Sequence, residues 1–196
     1  MTADWFPNAH SQVWPVILAS SEGSRLFPLT SKDSPKHLLP IAGIPSILRL
    51  LKSLSHARHL VICIASDDCH TMKVLEEQGG ASLVDRPTSQ QQQSQQVWTL
   101  TSTTPDKQQQ SITVVKLEED CPGSVDAIRQ IEKAKIIPES CHILVLPGDL
   151  VVLKETDSLL EHLLRPQGAC TTLLVDVGEQ DEHGIPLKES AKVRKW

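Results

Sequence analysis

Short apolar runs alternate with amphipathic segments along most of the chain. Five runs rich in Val, Ile and Leu predict strands, at 13–20, 59–66, 111–117, 141–151 and 170–177, and the first two of them are predicted to be buried. Four segments with helical spacing or helix-boundary residues predict helices, at 45–56, 67–80, 123–135 and 154–165. This alternation predicts an α/β fold, with a Rossmann-like, mostly parallel sheet and helices on both faces.

Polar stretches set the predicted boundaries of the domain. We place an N-terminal extension at 1–12 and one α/β domain at 13–180. Residues 89–110 contain nine glutamines among Ser, Thr and Pro, and a segment that buries so little apolar surface is predicted to be a disordered insertion. Self-association of its glutamine tract is the less favoured alternative. The charged segment 181–196 is either a polar tail or the truncated start of a further strand at "AKVRKW".

Composition and charge exclude several classes of protein. The 196 residues carry a net charge of −5 and no tyrosine, which disfavours direct binding of nucleic acid. Five cysteines without CxxC spacing favour free thiols in a reducing compartment. The apolar runs are far shorter than the ~20 residues of a membrane span. We therefore expect a cytosolic protein without membrane contact.

A small-residue loop follows the first predicted strand. Ser21, Gly23 and Ser24 would let backbone N–H groups approach a phosphate closely, and Arg25 could pair with its oxygens. Lys36, eleven residues further on, would add a movable positive charge. The loop matches neither GxxxxGK nor GxGxxG. A phosphate site and an ordinary tight turn with exposed basic residues both remain open.

Two further pieces carry candidate chemistry. Asp149 follows a predicted strand and a glycine, where a carboxylate could hold Mg²⁺ beside a nucleotide phosphate. The alternative is a turn or helix-capping Asp. Gly123 and Ser124 open a predicted helix, where a base or sugar could lie against the backbone. An N-cap Ser with Asp126 in the first turn also explains this sequence pattern adequately.

Together the three pieces resemble the sugar-nucleotide pyrophosphorylases. "LASSEGSRLFPLTSKDSPKHLLPIAGIPSI" resembles the opening of that family, "GSVDAIRQI" its Gly-Thr-Ala helix and "VLPGDLV" its Gly-Asp metal strand. The matching positions in the opening are Leu18, Ala19, Gly23, Arg25, Leu26, Pro28, Leu29, Thr30, Pro35, Lys36, Leu38, Leu39, Pro40 and Pro45. The resemblance covers about the first 150 residues and implies the nucleotide-diphospho-sugar transferase fold.

Departures from the family pattern bear on activity. Ser20 and Ser21 stand where the family has Ala and Gly, and a side chain at 21 should crowd the nucleotide phosphates or force a strained φ. His37 replaces the usual Pro after the lysine, and Val125 replaces a smaller Ala. These changes predict a scaffold that no longer catalyses the family's reaction, with Arg25 and Lys36 as remnants of the catalytic site.

Within this group, the gamma subunits of translation initiation factor 2B are similar in the degenerate Gly-Ser-Arg loop and the Gly-Ser-x-Asp-Ala-Ile-Arg helix. The epsilon subunit of the same factor is also similar but is the less favoured match. The resemblance to gamma implies a non-catalytic subunit of the guanine-nucleotide exchange complex, without a cofactor of its own. Its partners would be epsilon, the other subunits and initiation factor 2.

Two alternatives stay open. One is an active transferase that joins a nucleoside triphosphate to a sugar 1-phosphate and uses Mg²⁺ at Asp149. The other is a nucleotide-binding α/β domain of no assigned class. The family's second metal-binding Asp and its sugar-contacting half have no counterpart in this sequence, so we expect the domain to be incomplete at its C-terminus.

Overall fold

A computed structural model gives the fold. It describes ten segments of the chain: 13–21, 23–55, 57–85, 96–103, 109–118, 121, 123–139, 141–151, 173–176 and 192–195. The chain divides into two compact units, 1–152 and 153–196. Within the described segments, no helix is both long and apolar enough to cross a membrane.

The first unit is built on a six-stranded sheet. The strands described in this unit, in chain order, are β1 (Val13–Ala19), β2 (Pro40–Ile41), β3 (Ile44–Pro45), β4 (His59–Ile64), β5 (Ser82–Asp85), β6 (Gln96–Thr103), β7 (Gln109–Lys116) and β8 (His142–Pro147). The six-stranded sheet has the order β5-β6-β7-β4-β1-β8, while β2 and β3 form a separate two-stranded hairpin. β1 pairs in parallel with both β4 and β8, and β4 pairs in parallel with β7. At one edge of the sheet β6 pairs antiparallel with both β7 and β5. Because the other pairings of the sheet are parallel, the predicted mostly parallel sheet is confirmed.

Helices cover both faces of this sheet. They are α1 (Ser46–Ser53), α2 (His70–Glu77) and α3 (Ser124–Lys133). Ile17 of β1 lies in the same buried apolar cluster as Leu50 of α1. Its neighbour Val16 belongs to a second cluster, with Ala127 and Ile131 of α3. Because successive side chains of a strand point to opposite faces, α1 and α3 lie on opposite sides of the sheet.

The three predicted helices that the structure describes are present, but each is shorter than its predicted range. Pro45 precedes the first residue of α1, and α2 ends just before Gly79 and Gly80. Gly80 has φ +65°, the left-handed conformation that commonly follows a helix. The helix predicted at 154–165 lies outside the described residues.

The glutamine-rich segment is only in part what its composition predicts. Strand β6 and the first residues of β7 fall within 89–110, so the prediction of disorder is wrong for 96–103 and 109–110. β6 pairs with β7 over eight positions, with Leu100 fully buried. The Gln110 side chain is buried too and donates to the carbonyls of Leu54 and Ala57 at 2.9 and 2.8 Å. Strand pairing and the hydrogen bonds of the buried amide outweigh the polar composition here. Residues 89–95 and 104–108 lie outside the described part.

The second unit contributes two described strands. These are β9 (Leu173–Asp176) and β10 (Lys192–Lys195), which pair antiparallel in a four-residue register. β9 lies within the strand predicted at 170–177. β10 lies within "AKVRKW", where one of the two alternatives placed the start of a further strand.

Candidate nucleotide-binding site

The candidate site lies at one edge of the parallel strands. β1, β4, β7 and β8 run in the same direction, so their carboxyl ends meet at that edge. From β1 the chain moves to β4 and β7, and it then returns to β8 on the other side of β1. The strand order therefore reverses between β1 and β8, which is where open α/β sheets bind ligands.

The Pro-Lys and Gly-Asp segments meet at this reversal point. Lys36 Nζ lies 3.0 Å from Asp149 Oδ1, and neither side chain is fully buried, at 21% and 38% exposed. Asp149 sits in the turn that follows β8, where Leu150 N–H donates to the Pro147 carbonyl. The turn alternative for Asp149 is thus correct about its backbone, but its carboxylate also faces the predicted lysine.

Gly23 packs directly against the lysine. Its φ is +79°, and a Cβ added there would lie 2.8 Å from Lys36 Cβ. Thr30, itself buried, donates from Oγ1 to the Gly23 carbonyl at 2.7 Å. Both the left-handed backbone and the close approach require glycine at this position. The first loop and the lysine turn therefore form one packed unit.

A second glycine brings the metal-strand motif against the first strand. Gly148 N–H donates to the Leu18 carbonyl at 2.9 Å. A Cβ added at Gly148 would lie 3.0 Å from both Cα and Cβ of Ala19. This contact places Asp149 beside the start of the small-residue loop.

The remaining residues of the first loop are open to solvent. Ser21, Ser24 and Arg25 are exposed, and the last two lie in a single turn of 3-10 helix, Ser24–Leu26. Among the described residues the non-glycine positions with positive φ are Ala42 and Lys135. Ser21 is described and is not one of them, so the predicted backbone strain at Ser21 is wrong. The predicted crowding of phosphates by its side chain stays a prediction.

The Gly-Ser segment begins helix α3, which follows β7. Gly123 is the N-cap of α3, with an extended backbone (φ −161°), and Ser124 is its first helical residue. The N-cap Ser alternative is therefore wrong, although Asp126 does lie in the first turn. α3 follows β7, which is separated from β1 by β4. The structure brings Lys36 into contact with both Gly23 and Asp149, whereas Gly123 and Ser124 begin a helix on the opposite side of the sheet from α1.

Sequence reasoning missed a buried polar network beside the lysine. His37 is fully buried, and its Nε2 lies 2.7 Å from Thr71 Oγ1 and 3.5 Å from Asp68 Oδ2. Asp68 also accepts the Thr71 hydroxyl at 2.6 Å and the N–H groups of His70 and Thr71 at 2.9 Å. These contacts cap the start of α2. The contact of Asp68 with His37 has no local signal in the sequence.

The network holds its carboxylate charged. Burial raises the pKa of Asp68, but hydrogen bonds with His37 and Thr71 outweigh that effect and lower the pKa to about 2. Asp68 is therefore an anion across the neutral range, hydrogen-bonded to the start of α2 and 3.5 Å from His37 Nε2 in the turn that carries Lys36.

The sequence of residues 14–194 matches the family described as Nucleotidyl transferase. This chain belongs to the nucleotidyl transferase family. The predicted relation to nucleotidyltransferases is therefore confirmed, at the level of the family and its fold.

Individual relatives share only parts of the chain. The xanthan biosynthesis protein XanB of Xanthomonas campestris pv. campestris is 38% identical over 60 residues, which are 30% of this chain and 13% of XanB. A protein from Bacillus anthracis, named as a glucose-1-phosphate thymidylyltransferase, superposes with a TM-score of 0.54 at 18% identity. That alignment covers 83% of this chain and 54% of the neighbour. The chain thus spans about half of the neighbour's length and a small part of XanB.

The residues at the site fit a magnesium ion shared with a substrate. Within the described part of the chain, no group of three or more His, Cys, Asp or Glu side chains could form a metal cage. In nucleotide sites, however, Mg²⁺ is held by one or two carboxylates together with substrate phosphates. Asp149 offers such a carboxylate, partly exposed and next to Lys36, and its donor chemistry therefore fits.

Proposed function

We propose that this domain is a nucleotidyltransferase that joins a nucleoside triphosphate to a sugar 1-phosphate and releases pyrophosphate. The observation that carries the proposal is the contact of 3.0 Å between Lys36 and Asp149 at the reversal point of the sheet. One cation and one anion are paired there at a partly open surface, where a triphosphate and its metal ion could separate them. Family membership and the glycine contacts at 23 and 148 support the same site.

The chemistry assigns a role to each residue. An oxygen of the sugar phosphate attacks the α-phosphorus of the nucleotide, and the bond to the β-phosphate oxygen breaks, releasing pyrophosphate. Lys36 neutralises charge that develops on the phosphates, and exposed Arg25 binds their outer oxygens. Backbone N–H groups of the loop around Gly23 approach the phosphates. Asp149 would hold Mg²⁺, which supplies further charge neutralisation when bound.

The finding at Ser21 supports turnover over a purely structural role. The sequence argument against activity gave two alternatives at this position, crowding of the phosphates or a strained φ. Ser21 lacks the positive φ that a strained loop would need, and its side chain is exposed. XanB is named for xanthan biosynthesis, and the Bacillus anthracis protein is named for nucleotidyl transfer to glucose 1-phosphate. Both names also favour this proposal.

Pyrophosphate release tests the proposal directly. The full chain is incubated with Mg²⁺, each nucleoside triphosphate and a panel of sugar 1-phosphates. We expect turnover that is lost in Lys36→Ala and in Asp149→Ala. Lys73→Ala is the matched control, because Lys73 also pairs with a carboxylate, Glu77 at 4.0 Å, but on the exposed face of α2. Absence of turnover and of nucleotide binding in the wild type would contradict the proposal.

A second candidate is the non-catalytic subunit of initiation factor 2B. The observation that favours it is an apolar surface beside the loop, where Leu26, Phe27 and Leu29 are 44%, 79% and 69% exposed. Such a surface suits contact with another protein. Under this candidate the chain acts in the cytosol with epsilon, the other subunits and initiation factor 2, without nucleic acid or membrane.

Co-purification separates the two candidates. The tagged chain is isolated from its own cells and the bound proteins are identified. Recovery of epsilon and initiation factor 2, lost in Phe27→Asp, would favour the subunit. Recovery without these proteins but with a bound sugar nucleotide would favour the transferase.

A further inference from the structure

His37 follows Lys36 and is held on two sides. Its side chain reaches Thr71 near the start of α2, while its backbone carbonyl accepts a hydrogen bond from Ser46 Oγ at 2.8 Å, at the start of α1. Ser46 is itself buried, as is Thr71. The residue next to the lysine is therefore fastened to two helices.

The hydrogen bonds determine which ring nitrogen carries the proton. A hydroxyl has one proton to give, and Thr71 gives it to Asp68 at 2.6 Å. Thr71 Oγ1 must then accept from His37 Nε2, 2.7 Å away. The neutral ring is consequently the Nε2–H tautomer, which leaves Nδ1 as an acceptor. The low pKa of Asp68 keeps its carboxylate ready to accept.

The buried His37 also lies near the small-residue loop. Nδ1 is buried and has no hydrogen-bond partner among the described residues. His37 lines a cavity of about 10 Å³ together with Ser20, Ser21 and Asp68. The cavity therefore places His37 beside the start of the small-residue loop.

We propose that His37 is a positioning residue: held as the Nε2–H tautomer by Thr71 and Asp68, it sets Lys36 against Asp149 and couples the lysine turn to the small-residue loop. The proposal rests on the proposed transferase for its effect on turnover. It assigns a role to a residue that the sequence comparison treated as a departure from the family pattern. His37 acts through Lys36 and does not touch the reacting atoms.

Two pairs of variants test the hydrogen bond, one removing it and one keeping it. His37→Leu removes the donor, whereas His37→Gln keeps an N–H at about the same reach. Thr71→Val removes the acceptor, whereas Thr71→Ser keeps it. We expect kcat for pyrophosphate release to fall about tenfold to a hundredfold in the Leu and Val variants, as for a displaced catalytic group. The Gln and Ser variants should stay within about threefold of the wild type.

A spectroscopic readout separates positioning from a general loss of structure. Long-range proton–nitrogen NMR on histidine-labelled full chain should show His37 protonated at Nε2 and bare at Nδ1. Selective lysine labelling should show slowed exchange of the Lys36 ammonium protons, which is lost in His37→Leu and retained in His37→Gln. Melting temperatures of all four variants identify any that fail to fold.

The two proposals can fail separately, because the NMR readouts need no substrate. A wild type without turnover that shows the expected tautomer and slowed exchange contradicts the transferase and supports the positioning of Lys36. A ring protonated at Nδ1 overturns the positioning proposal. So does a folded His37→Leu variant whose ammonium signal and kcat match those of the wild type.

Discussion

Lys36 and His37 are neighbours in sequence but lie in opposite environments. Lys36 reaches a partly open surface and pairs with Asp149, a carboxylate from the end of another strand. His37 is fully buried and joins a network with Thr71 and Asp68 that caps a helix. The first environment suits exchange of a partner for a ligand, and the second suits a fixed position.

The difference shows how one short turn can separate reactivity from stability. An exposed ion pair contributes little to folding, about 0–1 kcal/mol, because water and salt screen it. A buried network contributes more, because removing one member leaves the others unsatisfied. Changes at Lys36 should therefore lower activity without destabilising the domain. Changes around His37 should lower both the activity and the stability.

The largest effect is expected at the partly exposed pair of Lys36 and Asp149. Lys36→Ala and Asp149→Ala should each lower kcat/KM for pyrophosphate release by about 10²–10³-fold, because a preorganised charge at the phosphates is lost. Their free energy of unfolding should change by less than about 1 kcal/mol. Urea unfolding and steady-state kinetics on the same preparations measure both. A large loss of stability would contradict the separation.

A glycine substitution tests how closely the loop packs on the lysine. Gly23→Ala should lower the free energy of unfolding by about 2–4 kcal/mol, combining left-handed strain with a clash against Lys36. Gly43→Ala is the matched control, because Gly43 has φ +77° but nothing within 4 Å of an added Cβ. That variant should lose only about 1 kcal/mol, the cost of strain alone. Equal losses in urea unfolding would show that the contact with Lys36 contributes nothing.

Acid should expose the contribution of the buried network. The pKa of Asp68 is lowered from 3.8 to about 2 in the folded state, so its stabilisation is present above pH 3.8 and is lost as pH falls toward 2. The shift corresponds to about 2 kcal/mol. Stability of the wild type should fall through this window, and Asp68→Asn should remove that part of the dependence.

Urea unfolding at several pH values between about 5 and 2 measures this term. Asp67→Asn serves as the control, because the neighbouring Asp67 is exposed and pairs with Lys32 on the surface at 3.4 Å. If both Asn variants lose the same pH dependence, the buried network is not its source.

The smallest effect is expected at Ser21. Because Ser21 is exposed and its φ is not positive, Ser21→Gly should change nucleotide affinity by less than about threefold, which is under 1 kcal/mol. Isothermal titration with nucleotide and Mg²⁺ measures it. An increase of more than about tenfold would restore the prediction that this side chain crowds the phosphates.

Local patterns predicted much of the framework. The apolar runs located β1, β4, β7 and β8. A strand buried on both faces is apolar throughout, as β4 is, whereas β8 is apolar although most of its residues are exposed. Strand β6 was missed, because the surrounding glutamines masked the apolar positions Trp98 and Leu100. Averaged composition hides a strand whose polar neighbours satisfy their hydrogen bonds by pairing.

The candidate site was predictable only as separate pieces. Gly23, Lys36 and Asp149 stood out as residue types suited to phosphate and metal, but nothing local fixed their distances. The partnership of His37 with Thr71, 34 positions later, had no sequence signal at all. Side-chain contacts between distant segments depend on how the strands are ordered.

By itself the sequence determined the α/β class, the family and the chemical types at the strand ends, since these follow from local periodicity and short motifs. The tertiary structure alone decided that Lys36 meets Asp149, that Gly23 packs on the lysine and that His37 is a buried anchor. The reason is physical: parallel strands bring their carboxyl ends to one edge, and the order β7-β4-β1-β8 selects which ends become neighbours.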